Sequence, residues 1–121
     1  VSPNHDLLRR VQDGQRCNTL AIEMIAGMGM TVGQTTFETV RWIGRFQQAW
    51  KDPEAVRLVY RREVKQFLCG NQQAKDKNIR QSLLDSVGQR GTKKAPGPTY
   101  GVSSHAWSAL AVAVTAQGVP A

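Results

Sequence analysis

The chain has 121 residues, 40% of them hydrophobic, and a formal net charge of +7 at pH 7. This length supports one compact domain, residues 1–121, with a modest core, and it is too short for two such domains. No apolar run approaches the ~18 residues that a membrane-spanning helix needs, so a membrane partner is not expected.

The positive charge is concentrated in residues 61–94, which contain nine of the sixteen Lys and Arg residues but three acidic residues. A concentration of this kind favours a polyanionic partner, nucleic acid before membrane, over a merely solvated basic surface. The nine basic residues are Arg61, Arg62, Lys65, Lys75, Lys77, Arg80, Arg90, Lys93 and Lys94.

The two cysteines, Cys17 and Cys69, are far apart and belong to no C-x-x-C pair or Cys/His cluster. A disulfide framework or zinc site is therefore not expected. We interpret both as small core residues of a protein in a reducing compartment, which indicates a cytoplasmic location.

The first half of the chain predicts the order helix, strand, helix, strand. The first helix ends before Gly14 and is expected to bury Leu7, Leu8 and Val11. G-M-G-M at 27–30 interrupts regular structure after the first strand. The strand, helix, strand order implies a parallel strand pair with a right-handed crossover. The predicted elements are a helix at 4–13, a strand at 18–24, a helix at 34–50 and a strand at 57–60.

The second half predicts helices at 61–68 and 74–87, and a last helix from Ser103 or Ser104, as N-cap, to about residue 116. Gly70 is the expected C-cap of the first of these helices. The segment 89–100 is rich in Gly, Pro and Lys and predicts a mobile basic loop. The last helix is almost wholly apolar and is expected to pack against the sheet.

Glu23 and His105 are the two candidate chemical groups. Glu23 lies near the carboxyl end of a predicted parallel strand, where open α/β sheets place their ligands. A carboxylate buried there must meet a cation, a metal or water. His105 lies in the first turn of the last helix, where the helix dipole favours a neutral imidazole that can bind metal.

Several segments occur in an order and spacing that resemble RuvC-type Holliday-junction resolvases, especially those of phages and prophages. The resemblance covers roughly residues 18–116, and its specificity lies in the combination. The segments are L-A-I-E at 20–23, R-E-V-K-Q at 62–66, A-K-D-K-N-I-R at 74–80, G-T-K-K-A-P-G-P at 91–98 and H-A-W-S-A-L-A-V-A-V-T at 105–115.

The resemblance implies an RNase H-like α/β fold and a homodimer, formed through helix 34–50, that cuts four-way DNA junctions with two Mg²⁺ or Mn²⁺ ions. By position, Glu23 and His105 match metal-binding catalytic residues. Lys65 and either Lys75 or Lys77 match family lysines that contact phosphate or stabilise transition-state charge. Gly44 and Trp42 are expected at the dimer seam, and no small-molecule cofactor is implied.

Two features depart from this family. Its members begin with a strand carrying G-I-D-P-G, whose Asp is the first metal ligand, and these 121 residues contain no such sequence. The chain also has Ser108 where cellular relatives have a second Asp after the His105 position. The fold is therefore expected to be incomplete, without its first strands, and so is the metal site.

Two alternatives remain open. Helices 61–68 and 74–87 can be read as a helix-turn-helix, a non-catalytic module with Lys75, Lys77 and Arg80 facing DNA. That reading leaves Glu23 and His105 unexplained. An RNA-binding basic protein is the other alternative, and it rests on the sequence pI of about 10.0 alone.

Overall fold

A computed structural model of the chain describes residues 3–26, 32–103 and 105–118. A parallel two-stranded sheet is combined with helices, which confirms the α/β class and the predicted strand pair. A short 3₁₀ helix, Pro53–Ala55, precedes the second strand. The described helices and strands are α1 (Pro3–Asp13), β1 (Ala21–Met24), α2 (Gln34–Ala49), β2 (Arg57–Tyr60), α3 (Arg61–Cys69), α4 (Asp76–Ser86) and α5 (His105–Gly118).

The chain divides into two compact units, Val1–Leu58 and Val59–Ala121, which we call unit 1 and unit 2. The boundary falls inside β2, whose bounds agree with the predicted strand. Each unit has its own internal packing. The expectation of one domain over residues 1–121 stays a prediction.

In unit 1, α1 packs on α2, and an aromatic contact joins the two helices. The His5 and Trp42 rings meet edge to face with centroids 5.0 Å apart, and Trp42 lies 5.7 Å from Phe46. No described residue of α1 is buried, and Leu7 is 50% exposed. The expectation that α1 buries Leu7, Leu8 and Val11 is therefore wrong: Leu8 and Val11 are half-buried.

The strand β1 is shorter than the predicted 18–24, because its ladder begins at Ala21. Ahead of it, the backbone N–H of Arg57 donates to the carbonyl of Leu20 at 2.9 Å. All four β1 residues are half-buried rather than enclosed on both faces. The predicted break at 27–30 lies outside the described residues.

The buried side chains of unit 2 come mainly from its three helices. Leu83 of α4 and Val64 of α3 are fully buried, and Trp107 and Ala111 bring α5 into the same core. The main neighbours of α5 are α3 and α4, not the sheet on which it was expected to pack. The sequence of α5 is almost continuously apolar because this helix contacts two other helices. The single apolar stripe of an amphipathic helix would be too narrow to cover both.

Candidate nucleic-acid interface

Unit 2 has nine Lys and Arg residues against three acidic residues, whereas unit 1 has seven against six. The basic residues of unit 2 fall on three features of the fold. Three are on α3, three are at the start and first turns of α4, and three are on the segment between α4 and α5. These features define the candidate interface.

The basic residues of α3 lie at its beginning. Tyr60 is the N-cap, and the carboxylate of Glu63 accepts a hydrogen bond from the Tyr60 backbone N–H at 3.3 Å, which satisfies one open donor of the helix start. The Arg62 guanidinium lies 4.5 Å from the centroid of the Tyr60 ring. Arg61 and Lys65, four residues apart, share a helix face and are half-buried.

The turn between α3 and α4 is built from local hydrogen bonds. Gly70 ends α3 with φ 68°, the left-handed conformation that glycine adopts without steric cost, which confirms the predicted C-cap. The Ser82 hydroxyl donates to the Leu68 carbonyl at 2.7 Å and ties α4 to the end of α3. Asn78 Oδ1 accepts a hydrogen bond from the Lys75 backbone N–H at 2.9 Å, so Lys75 is the N-cap of α4. The helix itself begins at Asp76, two residues later than its predicted first residue, 74.

A polar groove of about 830 Å³ runs along this turn and α4. Lys75 and Lys77 both line it, so the structure brings these two predicted phosphate contacts together. Four amide side chains share the lining and provide N–H donors of the kind that contact phosphate oxygens. They are Asn71, Gln73, Asn78 and Gln81. Asp85 also lines the groove and is its acidic member.

The segment 88–100, which we call the basic hairpin, lies outside the helices and strands, as predicted for 89–100, and hydrogen bonds join its two arms. Its predicted mobility stays a prediction. Gly91 and Pro96 form an antiparallel bridge, and the Gly97 N–H donates to the Arg90 carbonyl at 2.9 Å. At the tip, the Thr92 N–H donates to the Ala95 carbonyl at 3.0 Å. Residues 93 and 94, both exposed lysines, therefore occupy the tip of a hydrogen-bonded turn.

The base of the basic hairpin is anchored by Thr99. Its side chain is fully buried, and its hydroxyl donates to the Gly88 carbonyl at 2.9 Å. Gly88 has φ 142°, and a Cβ there would lie 2.5 Å from Pro98 Cγ, so this close approach requires glycine. Local sequence patterns do not reveal a contact between residues 88 and 99.

Glu23 and His105 lie in different units. Glu23 is half-buried on β1, and His105 is exposed as the first residue of α5. The carbonyl of Ser103 accepts from the Ala106 N–H at 2.9 Å, and the alternative cap residue, 104, lies outside the described part.

Glu23 and His105 do not by themselves complete a two-metal site. Within residues 3–26, 32–103 and 105–118, no three His, Cys, Asp or Glu side chains are grouped so that they could hold a metal ion. Two ions need several bridging carboxylates, whereas the predicted set contains one Glu and one His. This pair alone therefore offers too few ligands for two Mg²⁺ or Mn²⁺ ions.

Two contacts in unit 2 were missed by the sequence interpretation. The Arg80 guanidinium lies 5.6 Å from the Trp107 ring centroid, and Arg61 pairs with the Asp76 carboxylate. The sequence signal for the first contact was Trp107, which lies two residues after His105 in the last helix.

Two expectations about single residues of unit 1 are wrong. Trp42, expected to be exposed at a dimer seam, is half-buried. Likewise Cys17 is exposed rather than a core residue.

Neither a scan against models of known protein families nor a search of curated protein sequences matched this chain. Among the helices in the described ranges, none combines the length and apolar character required to cross a membrane.

Proposed function

We propose that the chain is a junction-resolving endonuclease of the RuvC type, with an RNase H-like fold, and that unit 2 grips branched DNA by its phosphates. The observation that carries the proposal is the charge of unit 2, nine Lys and Arg against three acids, displayed on helix starts and a hydrogen-bonded hairpin. Such work on DNA assigns the chain to the cytoplasm of a bacterial or phage-infected cell.

Contacts with phosphates would let unit 2 recognise the shape of a DNA junction without contacts to the base edges. Lys75 and Lys77 in the polar groove and the two lysines of the hairpin tip offer charged donors at separate points of unit 2. Each phosphate that a lysine or arginine neutralises releases counterions, so affinity should fall steeply with salt. Since hydrogen bonds already join the two arms of the hairpin, less conformational entropy is lost when its lysines bind.

DNA cleavage by this protein depends on metal ligands beyond Glu23 and His105. Glu23 and His105 are the residues assigned to Mg²⁺ or Mn²⁺, which when bound would supply an activated water and charge neutralisation at the leaving oxygen. Cleavage needs further carboxylate ligands beyond this pair. Lys65 and either Lys75 or Lys77 are assigned to phosphate contact, with the choice between the last two left open.

The proposed homodimer uses an exposed face of α2. Phe37, Val40 and Gly44, spaced three and four residues apart, share this face, and Phe37 is 61% exposed. Apart from the adjoining residues and the neighbouring backbone of α2, no heavy atom of the described chain lies within 4 Å of a Cβ built on Gly44, which leaves room for a second copy. A two-fold pair would present two equivalent DNA-binding surfaces to a symmetric junction.

A second candidate is a non-catalytic DNA-binding module of helix-turn-helix type. It is favoured by the Ser82 to Leu68 hydrogen bond, which fixes α4 against α3 across a short turn. In this reading Lys75, Lys77 and Arg80 face the DNA, and Glu23 has no chemical role.

The test uses a labelled four-way junction and a linear duplex of the same arm sequence. Binding is measured by fluorescence anisotropy without divalent metal, and nicking is followed on denaturing gels with Mg²⁺ or Mn²⁺. Preferential junction binding supports the first candidate, and symmetric nicks lost in Glu23→Gln would extend it to cleavage. Equal binding to duplex without nicking favours the second candidate. Preference for single-stranded RNA, or no binding at low salt, would refute both.

A further inference from the structure

A small cavity of about 70 Å³ lies where the starts of α3, α4 and α5 meet within unit 2. This volume is roughly twice the ~30 Å³ that a water molecule occupies in the liquid, so it suits one small group rather than a nucleoside. The cavity is distinct from the polar groove, with which it shares no residue. Its lining residues are Arg61, Asp76, Ile79, Arg80, Trp107 and Ser108.

Two guanidinium groups line this small space. Arg61 comes from the first residue of α3 and Arg80 from the second turn of α4, while Ser108 adds a hydroxyl from α5. A planar guanidinium matches the geometry of phosphate oxygens and donates two parallel hydrogen bonds to them. The two guanidiniums and the hydroxyl can donate to an anion, and Asp76 is the acidic member of the lining.

Packing restricts where the two guanidiniums lie. Arg80 lies over the Trp107 ring at 5.6 Å, within the distance at which a cation and an aromatic face attract each other. Trp107 is buried in the core of unit 2, so this platform is rigid. The Asp76 carboxylate accepts a hydrogen bond from Arg61 Nη2 and orients that side chain. Arg61 is thus paired with a carboxylate, and Arg80, although exposed, lies beside an aromatic face.

We propose that this cavity binds one phosphate group. The group can belong to a nucleic-acid backbone, in which case the inference rests on the proposed function, or it can be free inorganic phosphate. Arg80 is the main ligand, Arg61 the second, and Ser108 a hydroxyl donor. Asp76 opposes the phosphate by its charge while it orients Arg61, so it sets the affinity of the site.

The experiment follows the indole N–H resonance of Trp107 in ¹H–¹⁵N spectra of the full chain, with Trp107→Phe used to assign it. One arm titrates inorganic phosphate, and the other titrates a short DNA duplex. Chloride at matched ionic strength controls for screening. Since Arg80 lies over this ring, a phosphate that engages Arg80 changes the resonance. We expect saturable shifts in both arms if the group is a backbone phosphate, and in the first arm alone if it is free phosphate.

Variants test the roles of individual residues. Arg80→Gln should weaken the binding seen at Trp107 about tenfold or more, and Arg80→Lys should restore part of it, because the charge remains and the two-pronged contact is lost. Asp76→Asn should tighten binding by up to about fivefold, since it removes an exposed opposing charge. Asp13→Asn makes the same charge change at an exposed position of α1, outside the residues that line the cavity and the polar groove, and is the matched control.

The inference is overturned if neither probe shifts Trp107, or if Arg80→Gln leaves the shift and its midpoint unchanged. If Asp13→Asn tightens binding as much as Asp76→Asn does, the effect is one of net charge alone, and the inference is also overturned. DNA binding by anisotropy is measured in parallel. If duplex or junction DNA binds and Trp107 does not respond, the phosphate site is refuted and the proposed function is kept. If Trp107 responds to phosphate and no DNA binds, the phosphate site is kept and the proposed function is refuted.

Discussion

Unit 1 and unit 2 differ in how many side chains they bury and in how much net charge they carry. In unit 2 all three helices contribute fully or almost fully buried side chains, among them Leu83, Val64 and Ala111. In unit 1 the buried hydrophobic residues are fewer, and Phe37 and Val40 of α2 are exposed. The charges divide the same way, because unit 2 holds six more cations than acids and unit 1 holds one more.

The difference shows how a small unit supports a strong positive charge. Like charges repel, so a surface with excess cations needs packing energy from elsewhere in the same unit. Unit 2 supplies it through its helical core and through buried polar groups that are satisfied, such as Thr115, whose hydroxyl donates to the Ala111 carbonyl at 2.8 Å. Unit 1 carries little excess charge and leaves apolar surface open. Positive charge and close packing therefore occur together in unit 2, whereas most of the exposed large hydrophobic side chains lie in unit 1.

The largest expected effect tests the packing side of this comparison. Leu83→Ala removes a fully buried side chain from unit 2 and should lower the free energy of unfolding by about 2–5 kcal/mol. Phe37→Ala in unit 1 should change it by less than about 0.5 kcal/mol, since its ring is mostly exposed. Urea unfolding followed by circular dichroism, at low protein concentration, measures both. Similar losses for the two variants would contradict the contrast between the units.

The next largest effect tests whether the positive charge of unit 2 controls DNA binding. Replacing Lys93 and Lys94 by Gln removes two cations from the hairpin tip and should weaken junction binding about tenfold at moderate salt. The slope of log affinity against log salt should fall by up to about 2, at ~0.9 per phosphate contact. Arg9→Gln with Arg10→Gln, an exposed pair on α1, is the matched control with the same charge change. Equal weakening by both pairs would mean that net charge, not unit 2, controls binding.

Local patterns in the sequence predicted elements better than contacts between them. The strand at 57–60 and the cap at Gly70 agree with the structure, because apolar runs and left-handed glycines act over a few residues. The burial of Leu7 was predicted wrongly, since an amphipathic pattern defines a face but not its partner. For the same reason α5 was assigned to the sheet rather than to two helices.

The candidate site shows the same limit more strongly. Clustering of basic residues was visible in the sequence, and Lys75 and Lys77 do line one groove. The Arg80 to Trp107 contact joins residues 27 positions apart on two helices, and no local pattern contains it. The Gly-Pro composition of 89–100 indicated turns but not the bridge that orders them, because that bridge depends on pairing across the hairpin.

A smaller effect links packing and charge inside unit 2. Thr99→Val keeps the shape of a fully buried side chain but removes the hydroxyl that donates to the Gly88 carbonyl. The loss should be about 1 kcal/mol in unfolding free energy, and the hairpin base should loosen. Amide hydrogen exchange at Gly97, whose N–H bonds to Arg90, should become faster. Thr35→Val, the same change at an exposed position of α2, is the control. Unchanged exchange at Gly97 in Thr99→Val would show that Thr99 does not hold the hairpin.

The smallest expected effect tests the apolar face of unit 1. Gly44 is inside α2, and no heavy atom of the described chain beyond the adjoining residues and the neighbouring backbone of α2 approaches a Cβ placed there, so Gly44→Ala should raise the unfolding free energy of the monomer by about 0.5–1 kcal/mol. If a second copy packs its backbone against this face, the added methyl group should also weaken the dimer. Sedimentation equilibrium over a range of concentrations, combined with urea unfolding, separates the two effects. Thr35→Ala is the control, because Thr35 is exposed and lies nine residues, or two and a half turns, before Gly44, which places it on the opposite side of α2 from the Phe37, Val40 and Gly44 face. A stabilised monomer with an unchanged dimer would move the proposed seam away from Gly44, because a close interface cannot accept the extra carbon without a shift.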